Sequence, residues 1–173
     1  MAAIKQKIAP FLWFEKQTEE AMDFYVSVFK GAPNKSGNSG IISIARYERG
    51  MEVPGGAEMT GKVITAVFEL NGQRFMALDG GPIFKFNEAI SFHVECEDQT
   101  EVDYFWGKLS ASPESEQCGW LKDKFGLSWQ IIPKQLGELL RDSNKKKALA
   151  ATNAMLKMKK IVIADLQKAY DQA

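Results

Sequence analysis

The stretch GGPIFKFNEAISFHVEC (residues 80–96) separates two similar halves of the chain. Its two glycines and its proline favour a sharp loop, because glycine reaches backbone dihedral angles that other residues resist. The stretch ends in a segment of period two, whose apolar residues are Ile90, Phe92, Val94 and Cys96. The polar residues between them are Ser91, His93 and Glu95, and His93 is the only histidine of the chain. We therefore predict a strand with one core face and one polar face that lines a cavity.

The half before this stretch has the pattern of one strand, one helix and three strands. Aromatic and aliphatic residues predict the first strand over Lys7–Phe14. Thr18 then caps a helix that ends at Gly31, with apolar residues at spacings of three and four. The three further strands are Ile41–Tyr47, Val63–Leu70 and Arg74–Leu78, with an Asn71-Gly72 hairpin turn between the last two. Segment 48–61, rich in turn residues, predicts a mobile loop that is the best candidate for a lid.

The half after the stretch repeats this order in a shorter form. The strand Ala89–Cys96 leads to Asp98, which forms a capping box with Glu101 at the start of a helix. The apolar residues Val102, Phe105, Trp106 and Leu109 repeat the spacing of Ala21, Phe24, Tyr25 and Val28 in the first half. Two strands follow, near Gln117–Lys122 and over Leu127–Ile132. The chain thus contains two copies of one strand–helix–strands unit.

Beyond Pro133 the sequence becomes helical in character, over Gln135–Leu140, Lys145–Met158 and Ala164–Tyr170. This region is rich in lysine, with a run at 145–147 and further lysines at 157, 159 and 160. We interpret these lysines as a solvated helix face, because acidic residues elsewhere balance them.

Composition limits the partners that we expect. The 22 basic and 22 acidic residues cancel, so the chain lacks the basic excess of a nucleic-acid-binding protein. No apolar stretch approaches the roughly 20 residues that span a bilayer, and we expect no membrane partner. The two cysteines have no short-spaced cysteine or histidine partners, which predicts buried thiols in a reducing compartment. We therefore expect a cytoplasmic protein.

The paired pattern resembles the vicinal oxygen chelate superfamily of glyoxalases, extradiol dioxygenases and bleomycin-resistance proteins. Segments 12–32, 80–92 and 118–133 resemble its PhnB-type branch, often labelled 3-demethylubiquinone-9 3-methyltransferase. The resemblance implies an α+β fold of two βαβββ modules that form a curled mixed sheet with a cleft. We assign residues 5–79 to the first module, 80–133 to the second and shorter one, and 134–173 to a C-terminal helical extension within one structural unit.

Metal-dependent members of the superfamily supply His, Glu, His and Glu from four cleft positions. The first module of this chain offers Ala9, Pro10 or Phe11 at one such position and Met76 or Ala77 at another. The second module offers Ser91 and Gln130. We therefore expect no metal or other cofactor. The alternative is a divalent ion held by a reduced set of ligands, His93, Asp79 and Gln130.

The resemblance also implies a mostly apolar ligand pocket with few polar anchors, which suits a small hydrophobic or planar molecule. Its predicted lining is Phe11, Trp13, Phe84, Phe86, Ser91, His93, Trp120 and Gln130. We place Phe92 and Trp129 in the core instead, and Trp120 could equally well cover a dimer seam. Catalytic residues stay unassigned, with His93, Asp79 and Glu95 as candidates for acid–base work.

Two classes of function remain open from the sequence. The first is a metal-independent binding protein of the glyoxalase and bleomycin-resistance type. The second is an enzyme, either a metal-assisted isomerase or dioxygenase, or a methyltransferase as the family label states. We expect a homodimer, for which the extension would be a clasp with Leu149, Met155, Leu156 and Met158 on its apolar face.

Overall fold

The computed structural model describes residues 6–34, 36–52 and 59–173. These residues form two compact units, 6–31 with 36–85 and 32–34 with 86–173. The predicted mobile loop 48–61 falls partly on residues 53–58, which lie outside the described residues.

The first unit is one four-stranded sheet with one helix. Its elements are β1 (Phe11–Phe14), α1 (Thr18–Gly31), β2 (Gly40–Arg46), β3 (Val63–Leu70) and β4 (Gln73–Asp79). The strand order is β1-β4-β3-β2, with β1 parallel to β4 and the other pairs antiparallel. The predicted hairpin turn is confirmed, since Asn71 and Gly72 have φ angles of 51° and 84° between β3 and β4.

Alternation along the strands places one face of this sheet against α1. Leu12 and Phe14 of β1 are buried, as are the central aromatic and aliphatic residues of β3 and β4 on the same face. The apolar side of α1 packs on this face and buries Ala21, Met22, Tyr25, Val26, Val28 and Phe29. The core of the first unit therefore lies between α1 and one sheet face.

The second unit begins with a smaller copy of the same arrangement. Its elements are β5 (Ser91–Cys96), α2 (Gln99–Leu109), a 3₁₀ turn (Pro113–Ser115), β6 (Trp120–Lys122) and β7 (Ser128–Pro133). The strand order is β5-β7-β6, with β5 parallel to β7. This described sheet has three strands, one fewer than the first. The predicted α+β class is confirmed as two small mixed sheets with helices.

The start of α2 contains the predicted capping interaction. Asp98 Oδ1 accepts a hydrogen bond from the Glu101 backbone N–H at 2.9 Å. The Glu101 carboxylate reaches back to the backbone N–H of Glu97 at 2.7 Å, one residue earlier than a standard capping box requires. Glu101 is buried, so these contacts fix the direction in which the chain enters the helix.

The C-terminal helices α3 (Lys134–Leu140), α4 (Lys145–Met155) and α5 (Ile163–Asp171) belong to the second unit. They share an apolar cluster of Leu136, Leu139, Ala151, Ile161 and Leu166. Met155 and Met158, predicted on the apolar face of a clasp, pack against this cluster. Leu149 and Leu156 remain 59% and 53% exposed. No helix among the described residues is long and apolar enough to cross a membrane.

The turn between Gln117 and Trp120 attaches this extension to the second sheet. The backbone N–H groups of Cys118 and Gly119 donate to the carbonyls of Met158 and Lys159, both at 2.8 Å. A second attachment is the side chain of Gln99, which donates to the Ile161 carbonyl at 3.1 Å and accepts from the Ile163 N–H at 2.8 Å. The extension is therefore an integral part of the second unit.

Asp123 organises the turn between β6 and β7. Its buried carboxylate accepts hydrogen bonds from the backbone N–H of Phe125 at 2.8 Å and of Leu127 at 3.0 Å. It also accepts from the indole Nε1 of Trp129 at 2.8 Å, and Trp129 is among the largest fully buried side chains. One carboxylate thus satisfies three donors at the edge of the core.

We expect Asp123→Ala to lower the free energy of unfolding by about 2–4 kcal/mol, because it leaves these donors without their acceptor. Urea unfolding followed by circular dichroism measures the change. Asp23→Ala, which removes an exposed carboxylate on α1, is the control and should change stability by less than about 0.5 kcal/mol. Equal effects of the two substitutions would contradict this account.

Alanine substitutions at Gly119 and Gly126 can distinguish the cost of backbone strain from the cost of steric overlap. The φ angles of the two glycines are nearly equal, at 86° and 85°, so the strain is similar at both positions. A Cβ at Gly119 would lie 2.5 Å from Ile132 Cδ1 and 3.1 Å from the Ile131 carbonyl oxygen. At Gly126 nothing lies within 4 Å. Alanine costs about 1–2 kcal/mol at either position from backbone strain, and overlap adds about 1–3 kcal/mol at Gly119 alone. Urea unfolding should therefore show the larger loss for Gly119→Ala, and equal losses would rule out the overlap.

Candidate functional site

The face of the first sheet opposite α1 has an apolar strip that is not fully covered, with the charged residues Glu69 and Arg74 on the same face beyond it. Phe11 and Trp13 of β1 point to this face and are in register with Met76 and Leu78 of β4. Val67 of β3 continues the row beside Met76. Phe11 is 47% exposed, and the other four are half-buried. A half-open apolar sheet face of this kind suits a small-molecule site.

Trp13 is held in one orientation on this face. Its indole Nε1 donates a hydrogen bond to the Gly81 carbonyl at 2.9 Å. The ring of Phe84 meets it edge-on, with 5.0 Å between ring centroids and an interplanar angle of 77°. Such edge contacts are a favoured aromatic geometry. The loop after β4 therefore fixes both the position and the orientation of the indole.

Gly80 makes this arrangement possible. The backbone N–H groups of Gly80 and Gly81 donate to the carbonyls of Phe14 and Glu15 at 2.8 and 3.0 Å. The indole lies so close to Gly80 that a Cβ there would be 2.2 Å from Trp13 Cε2 and Cζ2. Glycine is required at this position because the aromatic ring occupies the space of a side chain.

Asp79, a candidate acid–base residue and metal ligand, lies on the other face of the same sheet. It is in register with Phe14, which is buried under α1. Its Oδ1 accepts a hydrogen bond from the backbone N–H of Thr18 at 2.9 Å. This bond satisfies a donor at the N-terminus of α1, so the geometry assigns Asp79 a helix-capping role.

The second sheet also has one face away from its helix, and polar residues cross it. His93 of β5, Gln130 of β7 and Trp120 of β6 are in register, so their side chains form a row over three strands. Gln130 Nε2 donates to Ser91 Oγ at 2.8 Å. On the opposite face Phe92 packs against the buried Trp129, with ring centroids 5.6 Å apart. The structure thus brings together Ser91, His93, Trp120 and Gln130, here called the polar row.

The two remaining acid–base candidates are accessible to solvent. His93 is exposed, and so is Glu95, which is in register with Ile132 at the end of β7. Ser91 bonds to Gln130, and within the described part of the chain no hydrogen bond joins it to His93. The observed contacts therefore do not form a serine–histidine nucleophile.

Cys96 lies on the core face of β5 and does not provide a nucleophile either. Burial raises the pKa of its thiol to about 12, and the negative charges of Glu101, Asp98 and Glu95 add to the increase. The thiol therefore stays protonated at neutral pH, while the thiolate is the reactive form.

Sequence reasoning missed two polar features beside the row. Lys122 of β6 forms an ion pair with Glu88. Ser128 of β7 is in register with both Ser91 and Lys122, and its buried Oγ has no hydrogen-bond partner among the described residues. Ser128 could have been found from the alternation of β7, since it precedes Gln130 on the same face.

The side chains that could act as metal ligands on the second sheet do not fit a metal ion. Ser91 and Gln130 stand where the superfamily resemblance implies histidine and glutamate, and they bond to each other. Neutral hydroxyl and amide groups are weaker ligands for first-row metals than imidazole and carboxylate. Within residues 6–34, 36–52 and 59–173, no three His, Cys, Asp or Glu side chains form a group that could hold a metal.

The predicted pocket residues divide between the units. Phe11, Trp13 and Phe84 belong to the first, and Phe86, Ser91, His93, Trp120 and Gln130 belong to the second. Phe86 is half-buried, and Phe84 is 61% exposed. A single pocket that combines both sets stays a prediction.

Comparison with known proteins identifies the family. The family described as 3-demethylubiquinone-9 3-methyltransferase matches residues 6–132. A solved PhnB protein from Bacillus cereus is 39% identical, with a TM-score of 0.58, over 74% of this chain and 99% of that one. A Pseudomonas aeruginosa protein shares the fold at 19% identity, with a TM-score of 0.53, over 72% and 95% of the two chains. No curated protein matches. The chain therefore belongs to the 3-demethylubiquinone-9 3-methyltransferase family, as that family is described.

Proposed function

We propose that this chain is a small-molecule-binding protein of the vicinal oxygen chelate type, comparable to its glyoxalase-like and bleomycin-resistance members. It binds a planar or hydrophobic compound without a metal ion. The observation that carries this proposal is the indole of Trp13, held on a half-open apolar sheet face by the Gly81 carbonyl and the Phe84 ring.

A fixed aromatic side chain favours binding because little side-chain freedom is lost when the ligand arrives. Val67, Met76 and Leu78 extend the apolar surface beside Trp13. This composition suits an uncharged ring system better than a charged metabolite, because a buried charge needs a partner of opposite sign. Planar aromatic and quinone compounds are the ligand class that we propose.

The polar row of the second unit, taken by itself, offers hydrogen-bonding groups to a small molecule. Gln130 and Ser91 combine donor and acceptor atoms, and His93 has a ring nitrogen of each kind when neutral. These groups match carbonyl and hydroxyl oxygens. We propose that these residues bind polar groups of a small molecule, and that His93 does so without acting as a metal ligand.

We also propose a cytoplasmic homodimer. Apolar residues of the first unit are unusually accessible, with Ile8 at 87%, Ile41 at 47% and Ile42 at 50% exposure. The two isoleucines lie on β2, which is an edge strand of its sheet. Accessible apolar groups on an edge strand favour association with another chain.

The family description names methyl transfer, which makes a methyltransferase the second candidate. A nucleoside methyl donor usually binds where a glycine-rich turn leads from a strand into a helix. The Gly80-Gly81 turn follows β4, but the next regular element is the strand β5. The geometry therefore supports ligand binding better than methyl transfer.

Protein purified without chelators or a metal-affinity tag should contain no stoichiometric metal by elemental analysis, because neutral hydroxyl and amide groups replace the expected ligands. Salts of Mn, Co, Ni and Zn should leave its melting temperature unchanged. Stoichiometric metal with a melting shift that His93→Ala abolishes would contradict the proposal and favour a metal-assisted isomerase or dioxygenase.

Gly80→Ala should weaken binding of menadione and of 1,4-naphthoquinone, two uncharged planar probes, by about tenfold, since the new methyl group displaces the indole. Titration calorimetry measures the affinity. Gly40→Ala is the matched control, because nothing lies within 4 Å of a Cβ there. Urea unfolding verifies that both variants are folded. Failure of the wild type to bind either probe, or equal affinities in all three proteins, would contradict the proposed site.

A further inference from the structure

The outward side of α4 combines lysine and leucine. Four exposed residues of the helix and two exposed residues just beyond its end are here called the α4 face: Lys145, Lys146, Leu149, Asn153, Leu156 and Lys157. Leu149 and Leu156 lie two turns apart, 59% and 53% exposed, between lysines at both ends. The other side of α4 buries Ala148 and Ala151, and Ala151 belongs to the C-terminal cluster.

The lysines of the α4 face differ from three other lysines of the extension, Lys147, Lys159 and Lys160. Lys159 pairs with Glu116, and Lys160 pairs with Asp103 at 2.6 Å. Lys147 lies over the ring of Tyr170, 4.8 Å from its centroid. Within the described residues, Lys145, Lys146 and Lys157 form no ion pair. Sequence reasoning treated all these lysines as balanced, whereas the structure balances only part of them.

Charge is also unevenly distributed along the chain. Residues 134–173 contain nine Lys and Arg and four Asp and Glu, an excess of five positive charges. Residues 1–133 contain thirteen Lys and Arg and eighteen Asp and Glu, an excess of five negative charges. The acidic groups near the α4 face include Asp142, whose pKa is lowered mainly by hydrogen bonds from the Asn144 backbone and the Tyr170 hydroxyl, and further by the charges of Lys147 and Lys145. Even with these acids counted, the extension is basic.

We propose that the α4 face is a docking surface for an anionic lipid bilayer. This replaces the expectation of no membrane partner, which considered only segments long enough to span a bilayer. The lysines contact the headgroups, and Leu149 and Leu156 enter the boundary between headgroups and acyl chains. A helix lying in the plane of a bilayer needs this combination of exposed apolar side chains with a basic rim. The inference is independent of the proposed ligand site, which lies on other elements.

Charge and shape favour lipid over the other occupants. The α4 face contains no arginine and no aromatic residue, which nucleic-acid surfaces use for phosphate forks and base stacking. Its two leucines project from a convex helix, so a rigid protein partner would need a groove to cover them, whereas acyl chains adapt to such side chains. The family match ends at residue 132, so this surface is an addition to the family domain.

Flotation of the full chain with vesicles tests the proposal. Vesicles of phosphatidylcholine with phosphatidylglycerol should bind the protein, and vesicles of phosphatidylcholine alone should not. Added salt should weaken the binding, because exposed charges are screened. The triple variant Lys145→Glu, Lys146→Glu, Lys157→Glu should lose at least about tenfold in partitioning. The double variant Leu149→Ser, Leu156→Ser should lose about threefold to tenfold through its missing apolar contacts.

A matched triple variant controls for net charge. Lys7→Glu, Lys16→Glu, Lys30→Glu changes three exposed lysines of the first unit by the same total charge and should retain most of the binding. An equal loss in this control overturns the proposal, as does the absence of binding to anionic vesicles or equal binding to neutral ones. Light scattering tests whether a second copy of the chain occupies the α4 face instead of lipid. A change from dimer to monomer in the α4 triple variant would assign the face to that second copy and overturn the proposal.

Discussion

Each module has a sheet with two faces and only one helix of its own to cover them, and the candidate sites follow from this constraint. In the first unit α1 buries one face, and the other keeps Phe11 and Trp13 partly accessible. In the second unit α2 and Trp129 fill one side, and the polar row crosses the other. The pleat of the strands therefore separates residues that stabilise the fold from residues that can contact a ligand.

Local signals were enough to predict most of the elements. The Asn71-Gly72 turn and the Asp98 cap depend on residues within one turn of each other, and both are present. The helix from Thr18 to Gly31 is also present, but the prediction that Thr18 caps it was wrong: the buried Thr18 hydroxyl forms no hydrogen bond among the described residues, and Asp79 is the cap. The first strand is shorter than predicted and begins at Phe11. Apolar composition alone could not show where β1 stops pairing with β4, because that boundary depends on residues more than sixty positions away.

The candidate site was predictable in its strand residues and not in its fixed contacts. The alternation of apolar and polar residues over 90–96 predicted Ser91 and His93 on one face of a strand. Parallel pairing of β5 with β7 brings Gln130 beside them. The hydrogen bond that the Thr18 backbone N–H donates to Asp79 joins residues 61 positions apart, and no spacing in the sequence indicates it. The same limit applies to Trp13, whose contact with Gly81 depends on the path of the loop in three dimensions.

The contacts that join the extension to the turn at Cys118 and Gly119 have a consequence for the order of folding during synthesis. The first unit contains no residue beyond position 85, so all of its strands and its helix have been translated early. The second sheet finds acceptors for the Cys118 and Gly119 amides, and backbone partners for the Gln99 side chain, only at residues 158–163. A nascent polypeptide can therefore form the first unit on the ribosome while the second sheet waits for residues 158–163 to be translated.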